Sequence, residues 1–151
     1  MKMDIECIRD ILLQAEEQGF CVYRDPEFVP ETQEENLEFP FIKKYDDEKL
    51  LYHINLADEF GLIKVSHCMG YSSVYDLSPQ GHLFLADIRE DNIWNKTKEI
   101  SKQIGTTSLS SVKEIATNVI SNLITNYFQR WYIRNFNGYT FLSFVWSVIV
   151  I

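Results

Sequence analysis

Apolar residues recur at three- and four-residue steps through the start of the chain, at Ile5, Ile8, Ile11, Leu12 and Ala15. That spacing predicts a helix over 4–18, with Asp4 capping the first turn and Gly19 stopping it. Phe20-Cys21-Val22-Tyr23 then reads as a short strand. The pattern breaks over 24–40, where Pro26, Pro30 and Pro40 accompany six acids (Asp25, Glu27, Glu31, Glu34, Glu35, Glu38). Such a stretch predicts a solvated loop or short helical turn, ending in a strand at 38–42.

Asp46-Asp47-Glu48 load acid where a first helical turn favours it. Leu50, Leu51, Ile54, Ala57 and Phe60 supply the buried stripe of that helix, and Gly61 suits the left-handed residue after its end. Leu62–Val65 predicts a strand, 67–73 a turn, and 73–77 a second strand. Helix, glycine, strand, turn, strand is the order of a helix running into a β-hairpin wing. Ser78 and Pro79 form a helix start, because proline's missing N–H has no partner at that position anyway. Phe84, Leu85 and Ile88 face inward from this helix. Asp91 is expected to cap a further helix carrying Ile93, Trp94 and Ile100, stopped near Gly105. Ser108 caps a long last helix over 109–127, in which Leu109, Val112, Ala116, Val119 and Leu123 step 3, 4, 3, 4.

The 151 residues suit one core, and 46% hydrophobic with 14% aromatic content supplies the material for it. Charge changes the functional picture. The net charge is −8, but residues 128–151 hold only Arg130 and Arg134 and no acid, so residues 1–127 carry 12 basic and 22 acidic groups, a net of −10. Affinity for DNA comes mostly from Lys and Arg displacing counterions, so an acidic body counts against it. Cys7, Cys21 and Cys68 are odd in number and form no CxxC pair, which suggests neither a disulfide framework nor a zinc knuckle. The acidic opening lacks the apolar run of a signal peptide, and the expected compartment is the cytoplasm.

Three stretches together, Met3–Leu13, Leu51–Ile63 and Leu77–Lys98, resemble the uncharacterised, largely bacterial and phage-borne domain-of-unknown-function family 2513. The last is the most specific: Gly81-His82, then Phe84-Leu85, Ile88-Arg89, and Trp94. The likeness covers roughly residues 1–127. It implies a winged-helix-like layout and a phage or prophage type of protein, with no assigned activity, cofactor or catalytic residue. The chain departs from the family pattern at Pro79 and in continuing about 24 residues further.

No catalytic or metal template is present. His53, His67 and His82 lack the i, i+4 spacing of a helical metal pair and read as structural or exposed. Walker, GxGxxG, GxSxG, HExxH and EF-hand patterns are absent. Cys7 sits beside an inward stripe, where a thiol is buried and inert. No enzyme activity, cofactor, metal or small-molecule substrate is therefore expected.

A winged-helix reading would put 47–60 in a DNA groove, yet that helix is expected to expose Asp47, Lys49, Tyr52, His53, Asp58 and Glu59. Lys43 and Lys44 just before it and Lys64 at the wing base are the only helpful charges, and Lys96, Lys98 and Lys102 form a modest basic face elsewhere. The wing turn has neither Lys nor Arg, but offers Met69 and Tyr71, residue types enriched at protein interfaces. The candidate interaction surface is thus Met69, Tyr71, Tyr52, Lys43 and Lys44. The 109–127 helix either closes the core or forms a dimer or docking contact.

The tail from Phe141 to Ile151, FLSFVWSVIVI, is uncharged. It is short of the roughly 20 apolar residues of a membrane span, so membrane association is not favoured. Trp131–Phe136 and Tyr139–Phe144 around Asn137-Gly138 would also suit a hairpin, and a third reading leaves the tail outside the functional domain.

The expectation is an α+β, winged-helix-like domain (1–105), mostly helical with a small antiparallel wing. A C-terminal amphipathic helix (106–127) and the apolar tail (128–151) follow. The expected function is a non-enzymatic binding module acting on another protein, or on itself as a homodimer through the 109–127 helix. The alternative is a winged-helix DNA-binding transcriptional regulator.

Overall fold

Each helix begins where the sequence offers a capping oxygen, with one exception that shapes the rest of the molecule. A computed structural model of the chain describes residues 1–31 and 38–136. Asp4 Oδ1 accepts the Glu6 and Cys7 amides to start α1 (Ile5–Glu17). Asp46 accepts the Lys49 amide at 2.7 Å to start α2 (Asp47–Glu59). Ser78 accepts the Gly81 amide at 2.9 Å to start α3 (Pro79–Ile88), and Ser108 the Ser111 amide to start α5 (Leu109–Asn135). The exception is α4 (Asp91–Ile104): its N-cap, Glu90, makes no side-chain capping bond, so the cap expected from Asp91 is not formed. Asp91 is the first residue of that helix, and its carboxylate is taken by Arg9.

Among the described residues, three antiparallel strands complete the α+β fold: β1 (Phe20–Tyr23), β2 (Ile63–Cys68) and β3 (Tyr71–Leu77), in the order β1-β3-β2. The β2–β3 hairpin turns on Met69-Gly70 alone, tighter than the turn expected over 67–73. Gly70 takes a φ of 89°, which frees the strands to pair up to Cys68 and Tyr71. Cys21 pairs with Ser73 and Tyr23 with Tyr71, while Ser66 and Cys68 meet the same two β3 residues from the other side. Because side chains alternate between faces, Phe20, Val22 and Val74 point into the core and Cys21, Tyr23, Ser66, Cys68, Tyr71, Ser73 and Tyr75 point away.

The strand expected at 38–42 is instead a pair of turns. The Phe39 carbonyl accepts the Ile42 and Lys43 amides, and the Ile42 carbonyl accepts the Tyr45 amide. Pro40 has no amide to offer a ladder, and Ile42 gains more by burial, at 5% exposure. The sequence reading also placed His53 on the exposed side of α2. It is fully buried, because that side lies against the start of α1.

The helix expected to end at 127 runs on to Asn135. Trp131–Asn135 is its last turn and not a hairpin strand; Asn137-Gly138, Tyr139–Phe144 and the apolar Phe141–Ile151 lie outside the described residues, as do Glu34 and Glu35 of the acidic loop. Leu109, Val112, Ile115, Ala116 and Val119 bury the first part of α5 against the body, so the early stripe does close the core.

Gly81 allows α3 to start directly on the end of α2. The Ser78 amide donates to the Leu62 carbonyl at 3.0 Å, and a Cβ on Gly81 would lie 1.9 Å from that same oxygen. Gly81→Ala is therefore expected to lower unfolding free energy by about 2–4 kcal/mol despite alanine's better helix propensity. Gly105→Ala, where no atom lies within 4 Å, should cost about 1 kcal/mol for its positive φ. Urea denaturation of the two variants side by side checks the ranking.

Candidate functional site

Several polar residues within the stretches that carry the family resemblance converge on α1, where they hold helices together. Arg9 reaches from α1 to the end of α3, where its Nε–H donates to the Ile88 carbonyl at 2.9 Å and Nη2 to the Arg89 carbonyl. Nη2 also donates to Asp91 Oδ1 at 2.8 Å. A helix ends with unpaired carbonyls and partial negative charge, and a buried guanidinium answers both. Arg9 lies 5.5 Å from the centre of the Trp94 ring, and Lys98 lies 5.6 Å from it. Glu6 Oε2 accepts from Trp94 Nε1–H and from Lys98 Nζ, both at 2.9 Å. Trp94, 1% exposed, is thereby fixed in position on α4.

A second cluster ties α1 to α2. The Asp4 amide donates to His53 Nε2 at 2.8 Å, and His53 Nδ1–H donates to the Lys49 carbonyl at 2.7 Å. These two partners define a neutral imidazole protonated on Nδ1. Lys49 Nζ pairs with Asp4 at 2.6 Å. Asp10 accepts from the Tyr45 hydroxyl at 2.6 Å and pairs with Lys44 at 2.8 Å. Lys44, expected as a free contact charge, is thus engaged within the fold, though half-exposed. Lys43 is exposed and lines a shallow depression of about 430 Å³ with Cys21, Val22, Phe39 and Ile42.

The electrostatics follow from these partners. Burial alone would raise the Glu6 carboxyl, but the hydrogen bonds from Lys98 and Trp94 outweigh it and hold it below the usual range. Burial likewise opposes, and Lys49 overrides, the shift at Asp4, which is also lowered. Burial, with the nearby Asp4 charge, pushes the Cys7 thiol up to about 12, so it is not a nucleophile at neutral pH. Burial and the bond to Asp10 push Tyr45 upward as well. Among the described residues, no group of three or more His, Cys, Asp or Glu could hold a metal ion. His82 is half-exposed with Nε2 3.9 Å from Asp76, and His67 bridges Ser72 and Asp58.

Two groups of exposed apolar side chains stand out among the described residues. In the first, Met69 stands 87% exposed at the hairpin turn. Tyr71 joins a ring cluster, 5.8 Å from Tyr23 and 6.5 Å from Phe28 between centroids. Tyr75, Cys21, Ser73, Ser66 and Cys68 continue this face without a charge, and the flanks carry Arg24, Glu27 and the Lys64–Asp76 pair. Sequence reasoning found Met69 and Tyr71 but missed Tyr23, Phe28 and Tyr75. The alternation of β1 was the available signal, and it needed the β1–β3 pairing to acquire meaning. Tyr52 does not join this face; it sits half-buried on α2 with its ring edge against His53, 5.0 Å away. The second surface is the distal part of α5, where Leu123, Ile124, Tyr127, Phe128 and Trp131 are exposed.

Fold and clusters together define a small α+β protein in which Glu6, Arg9, Asp10 and His53 pair across neighbouring elements. The chain belongs to the family described as "Hypothetical protein (DUF2513)", which it matches over residues 2–108. It is 32% identical over 133 residues to an uncharacterised protein of Haemophilus influenzae, covering 82% of this chain and 99% of the relative. No solved structure matches it. The family match ends one residue before α5 begins. No described helix is long and apolar enough to cross a membrane.

The lowered carboxyls give stability a definite acid limb. A group whose folded pKa lies below its unfolded value stabilises the fold above the unfolded value, and that contribution is lost as pH falls through the folded one. For Glu6 and Asp4 the unfolded references are 4.5 and 3.8. Unfolding free energy should stay level near neutrality and fall once the pH drops below those values. Glu6→Gln should lower stability at neutral pH and make the acid limb shallower, as read from denaturant melts across a pH series. An unchanged limb in that variant would contradict the assignment.

Proposed function

We propose that this protein is a non-enzymatic binding module that engages another protein through the outward face of its β1-β3-β2 sheet. The observation that carries this reading is a charge-free surface of Tyr23, Phe28, Met69, Tyr71 and Tyr75 on a body whose first 127 residues carry a net −10. Tyrosine offers a large contact area at low entropic cost, methionine adapts to its partner's shape, and charges are depleted at interface centres. The rim of Arg24, Glu27, Lys64 and Asp76 fits the polar edge of such a contact.

A second reading, a winged-helix DNA-binding regulator, is favoured by one observation: α2 runs through Gly61 into the β2–β3 hairpin. The side chains weigh against it. The exposed positions of α2 include Asp47, Glu48, Asp58 and Glu59, Lys49 is paired with Asp4 and Lys44 with Asp10. That leaves Lys43, and Lys64 beside Asp76 at 3.9 Å, to meet phosphate around α2 and the hairpin, and non-specific affinity rises with the number of phosphates neutralised.

Retention from bacterial lysate, with and without nuclease, separates the two. A nuclease-resistant protein partner should be held by the native chain and by Lys43→Glu, and its retention should fall at least about tenfold in a Met69→Asp, Tyr75→Thr double variant of unchanged melting temperature. Equal retention by the double variant would exclude the sheet face. A discrete DNA site, lost with Lys43→Glu and with rising salt, would establish the second reading instead.

A further inference from the structure

Val119 is the last buried residue of α5, and residues 121–136 project beyond the body for about 24 Å at the helical rise of 1.5 Å per residue. As far as Trp131 this projection is two-sided. At 100° per residue, Ile120, Leu123, Ile124, Tyr127, Phe128 and Trp131 fall within one arc of about 140°. Ser121, Asn122, Thr125, Asn126 and Gln129 occupy the other side, joined beyond Trp131 by the exposed Ile133, while Arg134 and Asn135 fall within the apolar arc. Five members of the apolar arc are 45–68% exposed. A helix segment of this length is marginal alone in water, and most helical stability comes from packing an amphipathic face.

We infer that this face is covered by the same segment of a second copy of the chain, the two α5 helices pairing antiparallel about a point near Tyr127. Area and charge support that occupant. Three aromatic side chains and two aliphatic ones, each about half exposed, offer roughly 600 Å² per copy, so a symmetric pair buries about 1,200 Å², the lower bound for a specific interface. The projecting helix carries Arg130 and Arg134 and no acid, whereas the body is acidic. In the antiparallel register, Arg134 of each copy falls opposite Ile120 of the other. That is one turn from Thr117, whose hydroxyl lies 3.4 Å from Asp87. A parallel register would set arginine beside arginine and acidic body beside acidic body. Antiparallel pairing instead separates the bodies by more than the Debye length of about 8 Å at physiological salt.

Sedimentation equilibrium of the full chain over a micromolar concentration series tests this. A monomer–dimer equilibrium is expected. Tyr127→Ser with Trp131→Ser should give a monomer of unchanged melting temperature. Arg134→Glu should weaken dimerisation about tenfold or more, and adding Asp87→Lys should restore it. A monomer at every concentration would overturn the inference and point to the chain's own 141–151 segment as the cover. Co-sedimentation of a monomer with phosphatidylcholine vesicles would overturn it in favour of a lipid surface. Open-ended association, or a dimer indifferent to Arg134→Glu, would overturn the antiparallel register.

Discussion

The end of α3 has no glycine to reverse the chain: Arg89 stays in the helical region and Glu90 leads straight into α4. The buried Ile88 carbonyl at that junction, and the partly buried Arg89 carbonyl beside it, take their donor from Arg9, which reaches across from α1. An unpaired buried carbonyl costs about 1–3 kcal/mol, so the angle between α3 and α4 depends on this one side chain. Trp94 rests beside the same guanidinium and is held from the other side by Glu6 and Lys98. The first helix is consequently the hub. Asp4, Glu6, Arg9 and Asp10, within two turns, fix α2, the 39–45 turns, α3 and α4.

This arrangement explains why the residues that carry the family resemblance offer so little chemistry. Glu6, Arg9, His53, Gly81 and Trp94 would draw attention as catalytic or binding candidates on residue type alone, yet each has an interior partner. The surfaces left over are the outward sheet face and the projecting half of α5. The first lies within the stretch matched by the family and the second lies beyond it.

The helices were legible because periodicity and caps agree at Asp4, Ser78 and Ser108, and because the acids at 46–48 mark a helix start, although Asp46 is the cap and not a residue of the first turn. The turns at 39–45 were not, since Phe39 and Phe41 give an alternating pattern that a ladder or a pair of turns can both satisfy. His53 was misplaced because burial beside a neighbouring helix is a tertiary fact that one helix's own stripe does not encode. Lys44 was read as a free charge for the same reason: Asp10 lies 34 residues away in sequence. Asp91 was read as a cap because local pattern favours an acid at a helix start, and the pull of Arg9, 82 residues distant, is invisible at that range.

The most direct measurement is a double-mutant cycle between Arg9→Met and Trp94→Leu, followed by urea unfolding. A shared clamp predicts that the two changes are not additive, with a coupling free energy of about 1–3 kcal/mol. Additive losses, within about 0.5 kcal/mol, would show that the two side chains act independently and that α1 is not the hub of the fold.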